Sequence, residues 1–278
     1  MVKIISDSTA DMPRDRAKEL GVHILPLTIY FGEQPYTDGV DLTPDEFFDK
    51  LSLAKSLPTT SQPSPDDFAQ VFEKYIAEGD EIFGIFISSA MSGTYQSACI
   101  AAEAFPGKIH LVDSRTTTLA LRLLLEETVR LRDKGLSAHE IAEQLEEMKS
   151  SFKFYADVED LKYLKMGGRL STLSAFVGNV VGVRPILSTV DGRPGPLAMR
   201  RGKKAAFEYI YRAIAQSPPD PEHYVVFAHG AVPEKMAEWK ETLAPFMNGC
   251  EIIDARLGAT VGAHVGPGSV GVAYFPKK

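Results

Sequence analysis

The 278 residues are 44% hydrophobic and 24% charged with a formal net charge of −7, a balance that suits one large or two ordinary globular domains and disfavours nonspecific nucleic-acid binding. No apolar run approaches the ~18 residues of a bilayer-spanning helix, and Asp7 arrives too early for a secretory signal, so the cytoplasm is the expected location, without stable membrane insertion. The two cysteines, Cys99 and Cys250, lie far apart in apolar contexts and read as small core residues, not as a disulfide framework or a thiolate zinc site.

In chain order, Val2 to Ile5 reads as a first strand, followed by a helix that starts at Asp11-Met12-Pro13 and stops at Gly21. His23 to Phe31 alternates as a second strand. Thr43-Pro44-Asp45-Glu46 carries a cap, a proline and a glutamate at the spacing of a capping box, and Ser64-Pro65-Asp66-Asp67 repeats the device less fully. Two strand-helix units follow: Ile82 to Ile87 with a helix from Thr94, and Ile109 to Val112 with a long helix from Thr116 to Lys134. Ser137-Ala138-His139-Glu140 opens a helix to about Ser150. Beyond it, strands are predicted at 152–158, 184–190, 196–200, 224–228, 251–255 and 270–275, with helices at 205–215 and 233–246. The Asp191-Gly192 turn implies some antiparallel pairing. The pattern predicts an α/β protein with an N-terminal parallel-sheet domain over 1–155 and a C-terminal α/β domain with a mixed sheet over 156–278. No repeat or low-complexity tract interrupts it.

Three first-half strands end in polar loops: Ser6-Asp7-Ser8-Thr9, Ser88 to Thr94, and Asp113-Ser114-Arg115-Thr116. In a parallel sheet these share the carboxyl edge, where open α/β sheets bind ligands. One such loop is an ordinary helix cap; three on one edge make a site. Pro58-Thr59-Thr60-Ser61-Gln62-Pro63-Ser64 adds rigid hydroxyl donors suited to a carboxylate. Leu161 to Arg169 joins a short amphipathic helix to a double glycine that turns Arg169 outward. Arg200, Arg201, Lys203 and Lys204 form a basic knot, usually a solvated surface and less often an acidic-partner site. The uncharged stretch Thr172 to Val183 is more often core than a lipid wall, although a long acyl chain needs such a surface, at roughly 0.8 kcal/mol per buried methylene.

Gly266-Pro267-Gly268-Ser269-Val270-Gly271 fits G-x-G-x-x-G literally, but its proline and the lack of a following βαβ unit remove it as a dinucleotide site. No serine sits in G-x-S-x-G, no phosphate-loop lysine motif occurs, and the histidines lack metal-ligand spacing, so neither a metal nor a cofactor is expected. His264 reads as a loop histidine.

"SDSTADMP", "TTSQPS", "ISSAMSGTYQSA", "LKYLKMGGR", "VRPIL" and "GAHVGPGSVG" occur in this order, and together they resemble the DegV family of bacterial fatty-acid-binding proteins across residues 4 to 275. The resemblance implies two α/β domains with a palmitate-like long-chain fatty acid between them. It implies a carrier without its own ATP site, whose partner, a fatty acid kinase, phosphorylates the bound carboxylate to an acyl phosphate for phospholipid synthesis. Carried over by motif, Thr60 and Ser92 would bond the carboxylate, with Ser61 and the Gly93 N–H close by. Arg169 and His264 would lie near the head group or face the kinase, and Arg200 and Arg201 would help it dock. Thr118 to Leu123 is bulkier than the small, glycine-containing segment frequent in the family, which bears on tail shape. The alternative reading is a serine hydrolase or acyltransferase using Ser92 and His264.

Overall fold

The computed structural model describes residues 1–169 and 182–277; of the Thr172 to Val183 stretch, residues 172–181 lie outside the described residues. The first half runs β1 (Val2–Asp7), α1 (Arg14–Glu19), β2 (Val22–Leu25), β3 (Thr28–Phe31), β4 (Gln34–Thr37), α2 (Pro44–Leu53), β5 (Thr59–Ser61), α3 (Pro65–Ala77), β6 (Glu81–Phe86), α4 (Thr94–Ala102), β7 (Ile109–Asp113), α5 (Thr118–Asp133) and α6 (Ala138–Met148). The second half runs β8 (Lys153–Asp157), α7 (Lys162–Met166), β9 (Val183–Val190), β10 (Arg193–Arg201), α8 (Gly202–Gln216), β11 (Tyr224–His229), α9 (Pro233–Leu243), β12 (Glu251–Arg256), α10 (Ala259–Val265) and β13 (Val270–Tyr274).

A parallel sheet is ordered β2-β1-β6-β7, and a mixed sheet is ordered β10-β9-β8-β13-β11-β12. Within the mixed sheet only β11 and β12 pair in parallel. The α/β architecture with one parallel and one mixed sheet is the one predicted. The Thr43, Ser64 and Ser137 boxes all form, each hydroxyl accepting the N–H three residues on; Asp67 completes the Ser64 box as fully as a glutamate would.

His23 to Phe31 is not one strand. Pro26, which has no N–H to give a ladder, ends β2, and β3 leaves to form a separate antiparallel sheet, β4-β3-β5. Thr59 to Ser61 forms its third strand, with Thr60 opposite Ile29. Residues 244–246 form a 3-10 turn after α9, and the free cysteines are half-buried instead of core.

The helix α5 is buried along almost its whole length and packs on β1, β11 and β13. Its buried charges are paired: Arg122 Nη2 lies 2.8 Å from Glu126 Oε1, one turn away, and Glu127 Oε1 lies 3.2 Å from Arg130 Nη1. The largest apolar cluster joins Ile4 and Phe83 of the parallel sheet, Leu119 to Leu125 of α5, and Val226, Ala255 and Ala273 of the mixed sheet. The expected boundary at residue 155 falls inside β8. Among the described residues no helix is long and apolar enough to cross a membrane, and no group of three His, Cys, Asp or Glu side chains could hold a metal ion.

Candidate head-group cavity

The carboxyl ends of β1, β6 and β7 meet through their loops. Asp7, fully buried, accepts the N–H of Thr9 at 2.9 Å and of Ile87 at 2.8 Å. Burial raises its pKa to about 6 against these donors. Ser88 N–H donates to the Thr116 carbonyl at 2.8 Å, and Ser89 Oγ donates to Asp113 at 2.5 Å. Three loops expected to share one edge are thus tied by named bonds; the Ser89 hydroxyl is occupied in tying them, and the Ser88 hydroxyl accepts Ala90 N–H at 3.3 Å within its own loop.

Against this edge lies a cavity enclosing about 500 Å³ of empty space, its mouth included. Its apolar wall holds Leu27, Ile87, Leu164, Val261 and Val265. Its polar residues include Thr60, Ser92, Thr117, Arg169 and His264. Thr60, Ser92, Arg169 and His264, far apart in sequence, are therefore brought to one cavity. Ser61 is not: strand alternation turns it outward, and it is exposed. Gly93 does not line the cavity either. A Cβ there would lie 2.4 Å from Gln62 Oε1, so Gly93 leaves room for Gln62, whose amide donates to Ser97 at 3.0 Å and joins the β5 segment to α4.

His264 lies on α10, not in a loop. The helix escapes a local reading because Gly258 supplies no side-chain cap. The cap is Asp38, which accepts the N–H of Ala259 at 3.0 Å and of Thr260 at 3.2 Å and the hydroxyl of Ser8 at 2.9 Å. Asp11 holds the preceding turn, accepting Gly258 N–H at 2.8 Å.

The imidazole Nε2 of His264 is 3.0 Å from Thr60 Oγ1. Its Nδ1 is buried without a partner, pressed against Gly167, where a Cβ would come within 2.2 Å. A proton on Nδ1 would be a buried unsatisfied donor, so the favoured tautomer places it on Nε2, donating to Thr60. The Thr60 hydroxyl proton is then free for a ligand acceptor. Burial, and secondarily the charge of Arg169, lowers the His264 pKa to about 4, so the ring is neutral near pH 7. Thr117 Oγ1 on the lining is likewise buried without a hydrogen-bond partner. Ser92 Oγ lies 2.9 Å from Thr94 Oγ1 and accepts Thr94 N–H at 3.3 Å. The histidine thus pairs with Thr60 and the serine with Thr94, which is not a nucleophile-base pair.

Arg169 is exposed at the rim. Gly168, at φ +72°, turns the chain after α7, and the guanidinium donates to the carbonyls of Gly167 at 2.6 Å and Met91 at 3.4 Å. In the basic knot, Arg200 stacks over Tyr209 at 4.7 Å, and Lys203 pairs with Glu159 at 3.1 Å. Thr117 and Asp38 carry no local sequence signal as contributors, whereas Gln62, between Pro58 and Pro63 beside Thr60, and Gly167 of the double glycine do.

The profile of a family described as "Uncharacterised protein, DegV family" matches residues 1–277. The chain belongs to the DegV family. A DegV domain-containing protein of Caldanaerobacter subterraneus subsp. tengcongensis is 33% identical, covering 100% of this chain and 99% of its own. Among solved structures, a DegV family protein from Thermus thermophilus, described by its fatty acid binding, superposes with a TM-score of 0.91 at 31% identity, covering 99% of each chain. DegV of Bacillus subtilis, described as a fatty acid binding protein, gives 0.89 at 29% identity and the same coverage.

Proposed function

We propose that this DegV protein is a noncatalytic carrier that holds a palmitate-like long-chain fatty acid, with its carboxylate at Thr60 and Ser92, and presents it in the cytoplasm to a separate ATP-dependent fatty acid kinase. The observation that carries the reading is a largely apolar cavity in which a neutral buried histidine orients the Thr60 hydroxyl toward open space. Membership of a family with fatty-acid-binding members supports the ligand class. In the proposed transfer a carboxylate oxygen forms the new bond to the γ-phosphorus of ATP while the bond to the β–γ bridging oxygen breaks and ADP leaves. The chain supplies position, and Arg169 at the rim offsets charge on the moving phosphoryl group. Arg200 and Arg201 are exposed and suit docking of an acidic kinase face. The product, an acyl phosphate, is an activated donor for phospholipid synthesis.

Mass spectrometry of solvent-extracted protein purified from cells tests the reading: a long-chain fatty acid is expected at near-stoichiometric amount. Preparations that are repeatedly empty, and delipidated protein that takes up no palmitate, overturn it.

A further inference from the structure

A larger cleft, about 1420 Å³ with its open mouth, is lined from both halves of the chain and shares no lining residue with the head-group cavity. Its place follows from the topology. The run β11-α9-β12 is a strand-helix-strand unit whose two strands pair in parallel and end side by side, with His229 opposite Arg256. The carboxyl edge of such a unit is a ligand-binding edge, and the carrier role makes no use of it.

Most polar groups of the lining are spent within the fold. The four carboxyl oxygens of Asp11 and Asp38 all accept hydrogen bonds, from Thr118, Gly258, Ser8, Ala259 and Thr260. Asp254 is held by Lys240 at 2.6 Å, and Arg256 by Asp45. His229 is the exception. It is 5% exposed, and its Nδ1 accepts the Val232 N–H at 3.2 Å, which puts the proton of the neutral ring on Nε2. Burial, and after it the charge of Arg256, lowers its pKa and keeps the ring neutral near pH 7. The Nε2–H has no acceptor among the described residues and belongs to the wall of the cleft. Arg14, exposed at the start of α1, also has no ion pair or hydrogen bond among the described residues. Met12, Ile24 and Met236 add an apolar surface.

We propose that this cleft is a second ligand site, which takes a small organic anion, a carboxylate or a phosphate monoester, whose oxygens accept from His229 Nε2 and Arg14 while its apolar body rests on Met12, Ile24 and Met236. Two open donors, one of them buried, call for an acceptor, and a charged one makes the stronger bonds. The site goes beyond the carrier reading and does not depend on it.

Ligand-observed NMR titration of the full-length, delipidated protein with 4-phenylbutyrate and with phenyl phosphate tests the site. Saturable binding of at least one probe is expected, weakened about 2- to 5-fold by Arg14→Gln and about 10-fold by His229→Asn. Asn keeps an acceptor near the position of Nδ1 for Val232, whereas Gln keeps a donor near that of Nε2, so His229→Gln should bind better than His229→Asn. The reverse order would assign His229 to holding the loop before α9 and overturn its role as the ligand's donor. Asp15→Asn removes the one carboxylate of the lining that has no partner among the described residues and should tighten binding; with Arg14→Gln it decides the matter on exposed positions if the histidine variants do not fold. No saturable binding of either probe up to about 10 mM overturns the site. So does binding that Thr60→Val weakens and Arg14→Gln leaves unchanged, because the probe then occupies the head-group cavity.

Discussion

Thr60 carries the head-group hypothesis because its hydroxyl is the one that a neighbouring group orients. If His264 Nε2–H donates to Thr60, replacing the threonine removes a ligand donor and also orphans the imidazole. Thr60→Val and Ser92→Ala are each expected to cost about 1–3 kcal/mol of palmitate binding, or about 5- to 150-fold in Kd, whereas Ser61→Ala, at an outward-facing position, should stay within about twofold. Calorimetric titration of delipidated variants reads this directly, and wild-type affinity in both Thr60→Val and Ser92→Ala would remove these hydroxyls from the site. Ser61 and Gly93 show how a segment can reach a cavity while neighbouring residues in it do not line the cavity. Both lie in the right segments, yet strand alternation sends one outward and Gln62 covers the other.

At the scale of elements, α10 exists through contacts distant in sequence. Its seven residues are too few for a stable helix alone, and Asp38, more than two hundred positions earlier, binds its first N–H groups. Asp38→Ala leaves those donors and the Ser8 hydroxyl without their partner in a buried setting. The expected loss exceeds about 2 kcal/mol of unfolding free energy by urea titration, with weaker palmitate binding because His264 rides on the helix; a loss under about 0.5 kcal/mol would show that α10 holds without this cap. The capping boxes at Thr43, Ser64 and Ser137 were legible because cap and donor lie three residues apart. The α10 cap was not, for the opposite reason. The break at Pro26 escapes a local reading because apolar residues recur on both sides of it, and only the partner strands reveal two different sheets.

At the scale of the molecule, Asp11 ties α5 to the turn before α10: its carboxyl lies 2.5 Å from Thr118 Oγ1 and 2.8 Å from Gly258 N. Burial, opposed by these contacts, raises its pKa from 3.8 to about 8. A carboxyl raised in this way binds a proton in the folded state that the unfolded chain releases, so its stabilising contribution is complete below about pH 4 and is lost as pH rises through 8. Asp11→Asn reproduces the shape and the donor of the protonated acid without titrating. The urea midpoint of wild type should therefore fall relative to Asp11→Asn between pH 6 and pH 9, and a constant difference across that range would refute the raised pKa. The α/β class was legible from alternation and turns. That Asp11 and α5 bind the two sheets into one core was not, because nothing local marks an aspartate or a helix as shared.

The strand order of the mixed sheet also governs the sequence of events during synthesis. β13 lies between β8 and β11, yet it follows both along the chain, so the centre of this sheet is the last of its strands to leave the ribosome. Until then β10-β9-β8 and β11-β12 can exist only as two fragments with facing, unpaired edges, the kind of template that recruits other chains. The parallel sheet, complete by Asp113, faces no such delay. A nascent chain of this protein thus passes through a long interval in which one sheet is finished and the other cannot close, and chaperone protection matters most in that interval.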